Sequence, residues 1–279
     1  MLPHWIVITI LAQLVLGSSS VFDKMLLKQR FFDPWVYTFW LGILGVFAVV
    51  LAPFGWSAIP LLTICLALFA GALFIIGVLF LFKVLEEGEA STTLPFIGGL
   101  APLFTFVVSS FLLEQALSTA ERIGFFFLVF GGLFFFLGEK KELRRSMLAW
   151  AFSALVLFGI SSTLSKIVFD QSPFITGFIW MRLGGASAAL FFLAIPFLRK
   201  KILFSARATT LKNHFLYFTN RAYAGGGSLL VNFSISLSHP ALVDAAQSTR
   251  YVIIFIMAWF LLKERFYGKT LVIKIAATF

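Results

Sequence analysis

Three arginines and one aspartate lie inside long apolar stretches of this sequence, and they are the side chains best able to bind a ligand. They are Arg182, Arg221, Arg250 and Asp244. An ionisable side chain in such surroundings is costly and ordinarily faces a cavity or a partner. Because a guanidinium stays protonated and forks to carboxylate or phosphate, the surplus of arginine favours a substrate with an anionic group, such as an amino acid or an organic acid.

Two apolar stretches place neutral polar residues beside these charges. In one stretch Arg221, Ser228 and Asn232 follow each other at spacings of 7 and 4, within roughly 40° on one helical face. Three glycines, 225–227, interrupt the same stretch and would let a ligand or a neighbouring helix approach the backbone.

The next stretch carries four polar residues within an arc of about 120° at helical spacing: Asp244, Gln247, Arg250 and Tyr251. Asp244 is the one acid predicted to lie in a span, so it is the candidate for coupling transport to a proton. Its place near the start of the stretch is equally compatible with a position at the membrane surface.

We predict that these side chains line a substrate cavity. The alternative is an internal salt bridge of Asp244 with Arg221 or Arg182. Gln13, from a polar stripe near the N-terminus, joins the set, although it could instead satisfy backbone carbonyls. The predicted substrate-binding residues are Gln13, Arg182, Arg221, Ser228, Asn232, Gln247, Arg250 and Tyr251.

Pro95 and Pro102 flank a Gly-Gly pair in another apolar stretch. Two prolines in one membrane crossing free backbone carbonyls and favour kinks, so we predict a hinge or a broken helix beside the cavity.

The composition indicates that lipid surrounds these stretches. Of 279 residues, 60% are hydrophobic and 12% are charged, whereas soluble proteins average about 25% charged. One cysteine and three scattered histidines provide neither a disulfide framework nor a metal site, so no cofactor is expected. The net charge of +10 is better explained by basic cytoplasmic loops than by a nucleic-acid partner.

Nine stretches have about the 20 residues that a spanning helix needs. A tenth begins at Thr270 and is cut short at Phe279, which predicts a truncated chain. The nine predicted spans are 5–22, 35–54, 60–82, 91–113, 123–137, 147–169, 174–198, 214–237 and 242–262.

The sequence repeats itself after about 140 to 150 residues. The segment SSSVFDK at 18–24 returns as SSTLSK at 161–166, and FLLE at 111–114 returns as FLLKE at 260–264. Five spans per half make the repeats antiparallel. We therefore predict an all-α protein of ten transmembrane helices, with a first repeat at 1–138, a charged connector at 139–146 and a second repeat at 147–279.

The loops after odd-numbered spans carry sixteen Lys and Arg residues, whereas the opposite loops carry Arg122 and Lys166. By the positive-inside rule the basic side is cytoplasmic and both termini lie outside.

Ten spans in two repeats, each with a Ser-rich first helix, a Lys and then a Pro before the second helix, and a fourth helix ending in a Leu-Leu-Glu type motif, resemble the EamA-type branch of the drug/metabolite transporter superfamily. The resemblance covers essentially the whole chain. It implies a cell-membrane transporter with a central cavity between the repeats, working by alternating access. Relatives carry amino acids, metabolites, drugs, nucleotide sugars or sugar phosphates.

The expected function is secondary transport, by an exporter or permease, of a small metabolite bearing an anionic group. A membrane-embedded enzyme is disfavoured because one intramembrane acid without an intramembrane histidine provides poor catalytic material. A non-transporting scaffold or sensor subunit is the other alternative. The expected partners are the substrate and the lipid bilayer, with a proton as the possible coupling ion and a monomer or homodimer as the assembly.

Overall fold

A computed structural model of the chain describes residues 3–27, 33–88, 90–114, 117–137, 145–208 and 211–261. These residues are almost entirely helical. The helices are α1 (His4–Leu27), α2 (Pro34–Leu44), α3 (Leu61–Glu87), α4 (Ala90–Leu112), α5 (Thr119–Leu137), α6 (Arg145–Gln171), α7 (Phe174–Phe191), α8 (Pro196–Ala208), α9 (Leu211–Leu237), α10 (Pro240–Ala245) and α11 (Ser248–Leu261). Segments of 3₁₀ helix, Gly45–Phe54 and Phe192–Ala194, prolong α2 and α7.

Five helical segments in the described residues are long and apolar enough to cross a membrane. They are His4–Leu26, Pro34–Phe54, Leu61–Glu87, Arg145–Gln171 and Phe174–Ala194. Large exposed side chains such as Phe47, Phe111 and Phe260 face outward from the bundle, as expected for surfaces solvated by lipid tails. The chain is therefore an all-α protein with the features of a multi-pass integral membrane protein.

Each of the nine predicted spans contains helix, but three boundaries differ in ways that matter. The first helix continues beyond residue 22 to Leu27, which brings Asp23 and Lys24 into its last turn. The seventh span stops at Ala194, and α8 begins as a separate basic helix at Pro196. The ninth is split into α10 and α11 at residues 246–247. The connector at 139–146, apart from its last two residues, and the tenth stretch lie outside the described residues.

Helices α3 and α7 pack closely together at glycines, which have no side chain to hold the backbones apart. A Cβ atom built on Gly71 would lie 1.8 Å from the backbone oxygen of Met181, and one on Gly184 would lie 2.1 Å from that of Leu68. Small residues at these points let the two backbones touch, which is how helices associate when the lipid itself is apolar.

Two lysines assigned to loops from the sequence are buried inside the bundle. Lys24 is 4% exposed and donates to the carbonyl oxygens of Leu85 and Gly88 at the end of α3. Lys166 is 5% exposed, pairs with Asp170 at 2.8 Å, and lies 3.4 Å from the carbonyl oxygen of Ser236 near the end of α9. Each ammonium therefore compensates the unsatisfied carbonyls at a helix C-terminus.

We predict that Gly71→Ala lowers the stability of the bundle by about 1–3 kcal/mol, because the added methyl group collides with the α7 backbone. Gly124→Ala is the matched control, since a Cβ there meets no atom within 4 Å. In that open position alanine should be neutral or stabilising, by up to about 1 kcal/mol. Thermal unfolding of the purified variants in detergent measures both, and equal melting temperatures would contradict the packing argument.

Candidate functional site

Arg221 is held in a buried ion pair with Asp23. The carboxylate lies in the last turns of α1 and the guanidinium in the first half of α9, and both side chains are buried. Tyr37 Oη and Asn220 Nδ2 also donate to Asp23 Oδ1, each at 2.6 Å. Arg221 donates in addition to Ser19 Oγ at 3.2 Å. The Arg221 guanidinium is thus bonded to side chains of α1, and its role in substrate binding stays a prediction.

This network joins α1, α2 and α9 into one unit. The Arg221 guanidinium lies over the rings of Tyr37 and Tyr217, at 5.4 and 6.0 Å from their centroids. Tyr217 Oη donates to the carbonyl oxygen of Tyr37 at 2.9 Å. Aromatic faces and hydrogen bonds together replace the water that the charges would otherwise need.

Arg250 of α11 contacts α1 near the middle of that helix, and its partner there is a neutral side chain. Its Nε donates to Gln13 Oε1 at 2.8 Å, and a second guanidinium nitrogen donates to the same oxygen. Gly17 lets α1 approach, because a Cβ there would lie 3.0 Å from Arg250 Cγ. Gln13 is fully buried, and its amide nitrogen has no hydrogen-bond partner among the described residues.

Asp244 lies at the end of the short helix α10 and is 7% exposed. Thr105 Oγ1 of α4 is 2.7 Å from its Oδ2, and Gln247 Nε2 is 3.4 Å from its Oδ1. In the described part of the chain no Lys or Arg nitrogen comes within 4 Å of this carboxyl. The predicted salt bridge of Asp244 with Arg221 or Arg182 is therefore not formed.

Arg182, in the middle of α7, has a neutral hydrogen-bond partner and two aromatic neighbours. It donates to the hydroxyl of Ser228 on α9. Its guanidinium lies 4.7 Å from the ring centroid of Phe178 and 5.6 Å from that of Phe74. No carboxylate of the described residues lies within 4 Å of it.

Arg182 lines a small cavity between α2, α3, α6, α7 and α9. Asn232 lines it as well and donates to the carbonyl oxygen of Ser228 at 2.8 Å. Ser161 and Ser165 add hydroxyl groups from α6. The volume is about 40 Å³, whereas sites for small molecules measure about 300–1,000 Å³. This conformation is closed around the arginine.

The structure thus divides the predicted binding residues into separate groups. Arg182, Ser228 and Asn232 meet at the cavity. Arg250 and Gln13 meet at the contact of α11 with α1, and Gln247 lies beside Asp244. Tyr251 packs against α4, so closely that a Cβ on Gly98 would lie 1.8 Å from its hydroxyl oxygen. Arg221 belongs to neither group.

Two residues that bond to predicted site residues were not predicted from the sequence: Asp23, which pairs with Arg221, and Thr105, which contacts Asp244. Asp23 lies one residue beyond the predicted end of the first span, and Thr105 is a neutral residue in an otherwise apolar helix. The first signal was present, because an acid and a base at 23–24 directly follow the Ser-rich segment of the repeat.

The predicted broken helix in α4 is not seen, and a hinge at Pro95 and Pro102 stays a prediction. The helix is continuous over Ala90–Leu112 through both Pro95 and Pro102, and the break in this region of the fold lies between α10 and α11 instead. Of the three consecutive glycines in α9, Gly227 packs against Val15 and Leu16 of α1, whereas Gly225 and Gly226 face open space.

Comparison with known proteins shows the fold and no more. No protein-family model matches the chain, and no curated protein matches it in sequence. A solved crystal structure of a protein is similar to it with a TM-score of 0.65 and 13% sequence identity, over 96% of each chain. Identity at this level carries no information on activity.

We predict that Asp23→Ala or Arg221→Met alone lowers stability by about 3–5 kcal/mol, because either change leaves an uncompensated buried charge. The double variant should lose less than the sum of the two, since it removes both charges. Lys201→Met is the control: its pair with Asp33 is partly exposed, and its loss should cost about 0–1 kcal/mol. Thermal unfolding measures all four, and strictly additive losses would contradict the pairing.

Proposed function

We propose that this protein is a secondary transporter that moves a small metabolite with an anionic group by alternating access between two inverted five-helix repeats. The observation that carries the proposal is Arg182, a guanidinium within a membrane helix that faces a cavity and has no carboxylate partner among the described residues. An intramembrane charge of this kind is ordinarily functional.

Matching contacts in the two halves support the repeat. If α1, α3 and α4 correspond to α6, α9 and α11, then the packing of α3 on α6 corresponds to that of α9 on α1. The packing of α4 on α6 likewise corresponds to that of α11 on α1. Two lysines form a further matching pair. Lys24 of α1 binds carbonyl oxygens at the end of α3, and Lys166 of α6 lies against a carbonyl oxygen near the end of α9. Such agreement is expected of a duplicated fold.

An anionic group is the substrate feature that this cavity favours. A guanidinium binds carboxylate or phosphate with two parallel hydrogen bonds, and here only a serine hydroxyl occupies it. The Phe74 and Phe178 rings hold the guanidinium from its other sides without neutralising it. Ser161, Ser165 and Asn232 provide the neutral polar groups that would orient a bound molecule.

The closed cavity fits an occluded stage of the transport cycle. Glycines line it at Gly42, Gly45, Gly71 and Gly185, so backbones of α2, α3 and α7 meet with few interlocking side chains. Helices that touch through small residues can separate without unpacking large ones. Opening between these helices on one side of the membrane would admit a substrate to Arg182, and opening on the other side would release it.

We predict that Arg182→Gln weakens substrate binding by about 10- to 100-fold, because a hydrogen bond to a charged group contributes about 1.5–3 kcal/mol. Thermal stabilisation of the purified protein by amino acids, organic acids and phosphate esters, each compared with its neutral amide or alcohol, identifies the ligand. Counterflow uptake into proteoliposomes then measures transport.

Arg199→Gln is the control for this experiment, since it removes an exposed arginine of α8 and should leave uptake unchanged. Arg182→Lys should retain part of the binding, because it keeps the charge and loses the bidentate geometry. Uptake by Arg182→Gln at the wild-type rate, or equal stabilisation by the neutral counterparts, would contradict the proposal.

A further inference from the structure

We infer that Asp244 is a proton-binding site that couples the ion gradient to the movement of the two halves. The inference rests on the proposed transport function for its purpose, but the binding of a proton at Asp244 can be measured without a substrate. The argument uses the hydrogen bonds around the carboxyl, the charges that face it and the helix break beside it.

The surroundings of Asp244 contain hydrogen-bond donors but no ion-pair partner for a negative charge. The residue is 7% exposed, the hydroxyls of Thr105 and Ser162 and the amide of Gln247 face its carboxyl, and no Lys or Arg nitrogen of the described residues lies within 4 Å of it. An ionised carboxyl that is cut off from water and has no counter-ion is strongly disfavoured, and it becomes neutral by taking up a proton.

The hydrogen-bond geometry has a place for that proton. Thr105 Oγ1 lies 2.7 Å from Asp244 Oδ2 and 3.3 Å from the carbonyl oxygen of Ala101. A hydroxyl has one hydrogen and cannot donate to both acceptors. With Asp244 protonated, its O–H donates to Thr105, Thr105 donates to Ala101, and the Gln247 amide donates to Oδ1. The hydroxyl of Thr105 and the amide of Gln247 then each have an acceptor, and the Ser162 hydroxyl faces the same carboxyl.

Most other charged and titratable groups near Asp244 have hydrogen-bond or ion-pair partners of their own. The described side chains of α4 include none. At the start of α5, Glu121 accepts from Ser118 and Arg122 donates to the carbonyl oxygen of Leu117. On the remaining neighbouring elements, His239 accepts from the Ala241 N–H and Lys166 pairs with Asp170. On α11, Arg250 donates to Gln13, and Tyr251 packs against Gly98.

Arg250 is the group that would respond when the proton leaves. It follows Asp244 across the break at 246–247, it is close enough to act on the carboxyl electrostatically, and its present partner is a neutral amide. A charged Asp244 would draw the guanidinium away from Gln13. Because Gln13 lies on α1 and Arg250 on α11, proton release would loosen the contact between these helices, and proton uptake would restore it.

Infrared spectroscopy of the full chain in lipid tests proton binding directly. We expect a protonated-carboxyl C=O band that disappears as the pH is raised from about 5 to about 9, and that is missing in Asp244→Asn. Thr105→Val keeps the shape of the site and should shift this band without removing it, because the carboxyl loses its hydrogen-bond partner. Glu87→Gln, at an exposed acid of α3, should leave the band unchanged.

The outcomes of this measurement are distinct. A band that Asp244→Asn does not remove, or that Thr105→Val does not shift, would overturn the assignment. A band lost on adding sodium at constant pH would show that Asp244 binds sodium, and would overturn the assignment to a proton.

Transport assays distinguish the coupling role of Asp244 from proton binding alone. With the ligand identified by thermal stabilisation, Asp244→Asn should lose accumulation driven by a pH gradient and keep substrate exchange at equal pH. Retained pH-driven accumulation in this variant would overturn the coupling role and leave the transport function standing. Loss of both accumulation and exchange, with wild-type melting temperature, would also overturn it, because a site for the coupling ion alone is not needed for exchange. If Arg182→Gln transports normally, the substrate proposal fails while the infrared result is unaffected.

Discussion

The structure depends on one constraint: a charge inside the bilayer has to be compensated by the protein, because no water is present to do it. The arginines of the described helices meet this constraint to different degrees. Arg221 has a carboxylate and two aromatic rings, Arg250 has the oxygen of one amide, and Arg182 has one hydroxyl and two rings. The degree of compensation separates an arginine that holds helices together from one that is available to a substrate. A bound anion would provide Arg182 with the negative charge that its present partners do not provide.

The same constraint explains how the helices are joined. Apolar side chains gain little by leaving lipid, so the bundle relies on close backbone contact at glycines and on polar links between helices. The glycine contacts concentrate where α3 meets α7, beside the cavity, whereas Asp23 and Arg221 link α1 to α9 away from it. The bundle therefore has ion pairs and hydrogen bonds at a few points, and glycine contacts without interlocking side chains between them. Contacts of the second kind near the cavity would let the helices move apart and together again.

Much of the fold follows from the sequence, since apolar stretches of the right length predict helices whatever their neighbours are. Partners do not follow, because they depend on which helices meet. All the predicted substrate-binding residues except Gln13 lie in the second half of the sequence. The structure places Gln13, Asp23 and Thr105 of the first half opposite Arg250, Arg221 and Asp244 of the second. Asp23 was excluded because the first helix continues one turn beyond its apolar stretch, and Thr105 has no charge to attract notice.

Asp23 and Asp244 show why burial alone does not decide what an acid does. Both are buried to a similar extent, at 6% and 7% exposure. Asp23 receives hydrogen bonds from a guanidinium, an amide and a phenol, so its charge is matched. Asp244 is in contact with groups that serve a neutral acid as well as a charged one, and the arginine that could neutralise it is bonded to Gln13. An acid with a fixed counter-ion stabilises one arrangement of helices. An acid whose potential counter-ion is held by another helix ties its own charge to the contact between those helices, and that property distinguishes a coupling site from a structural ion pair.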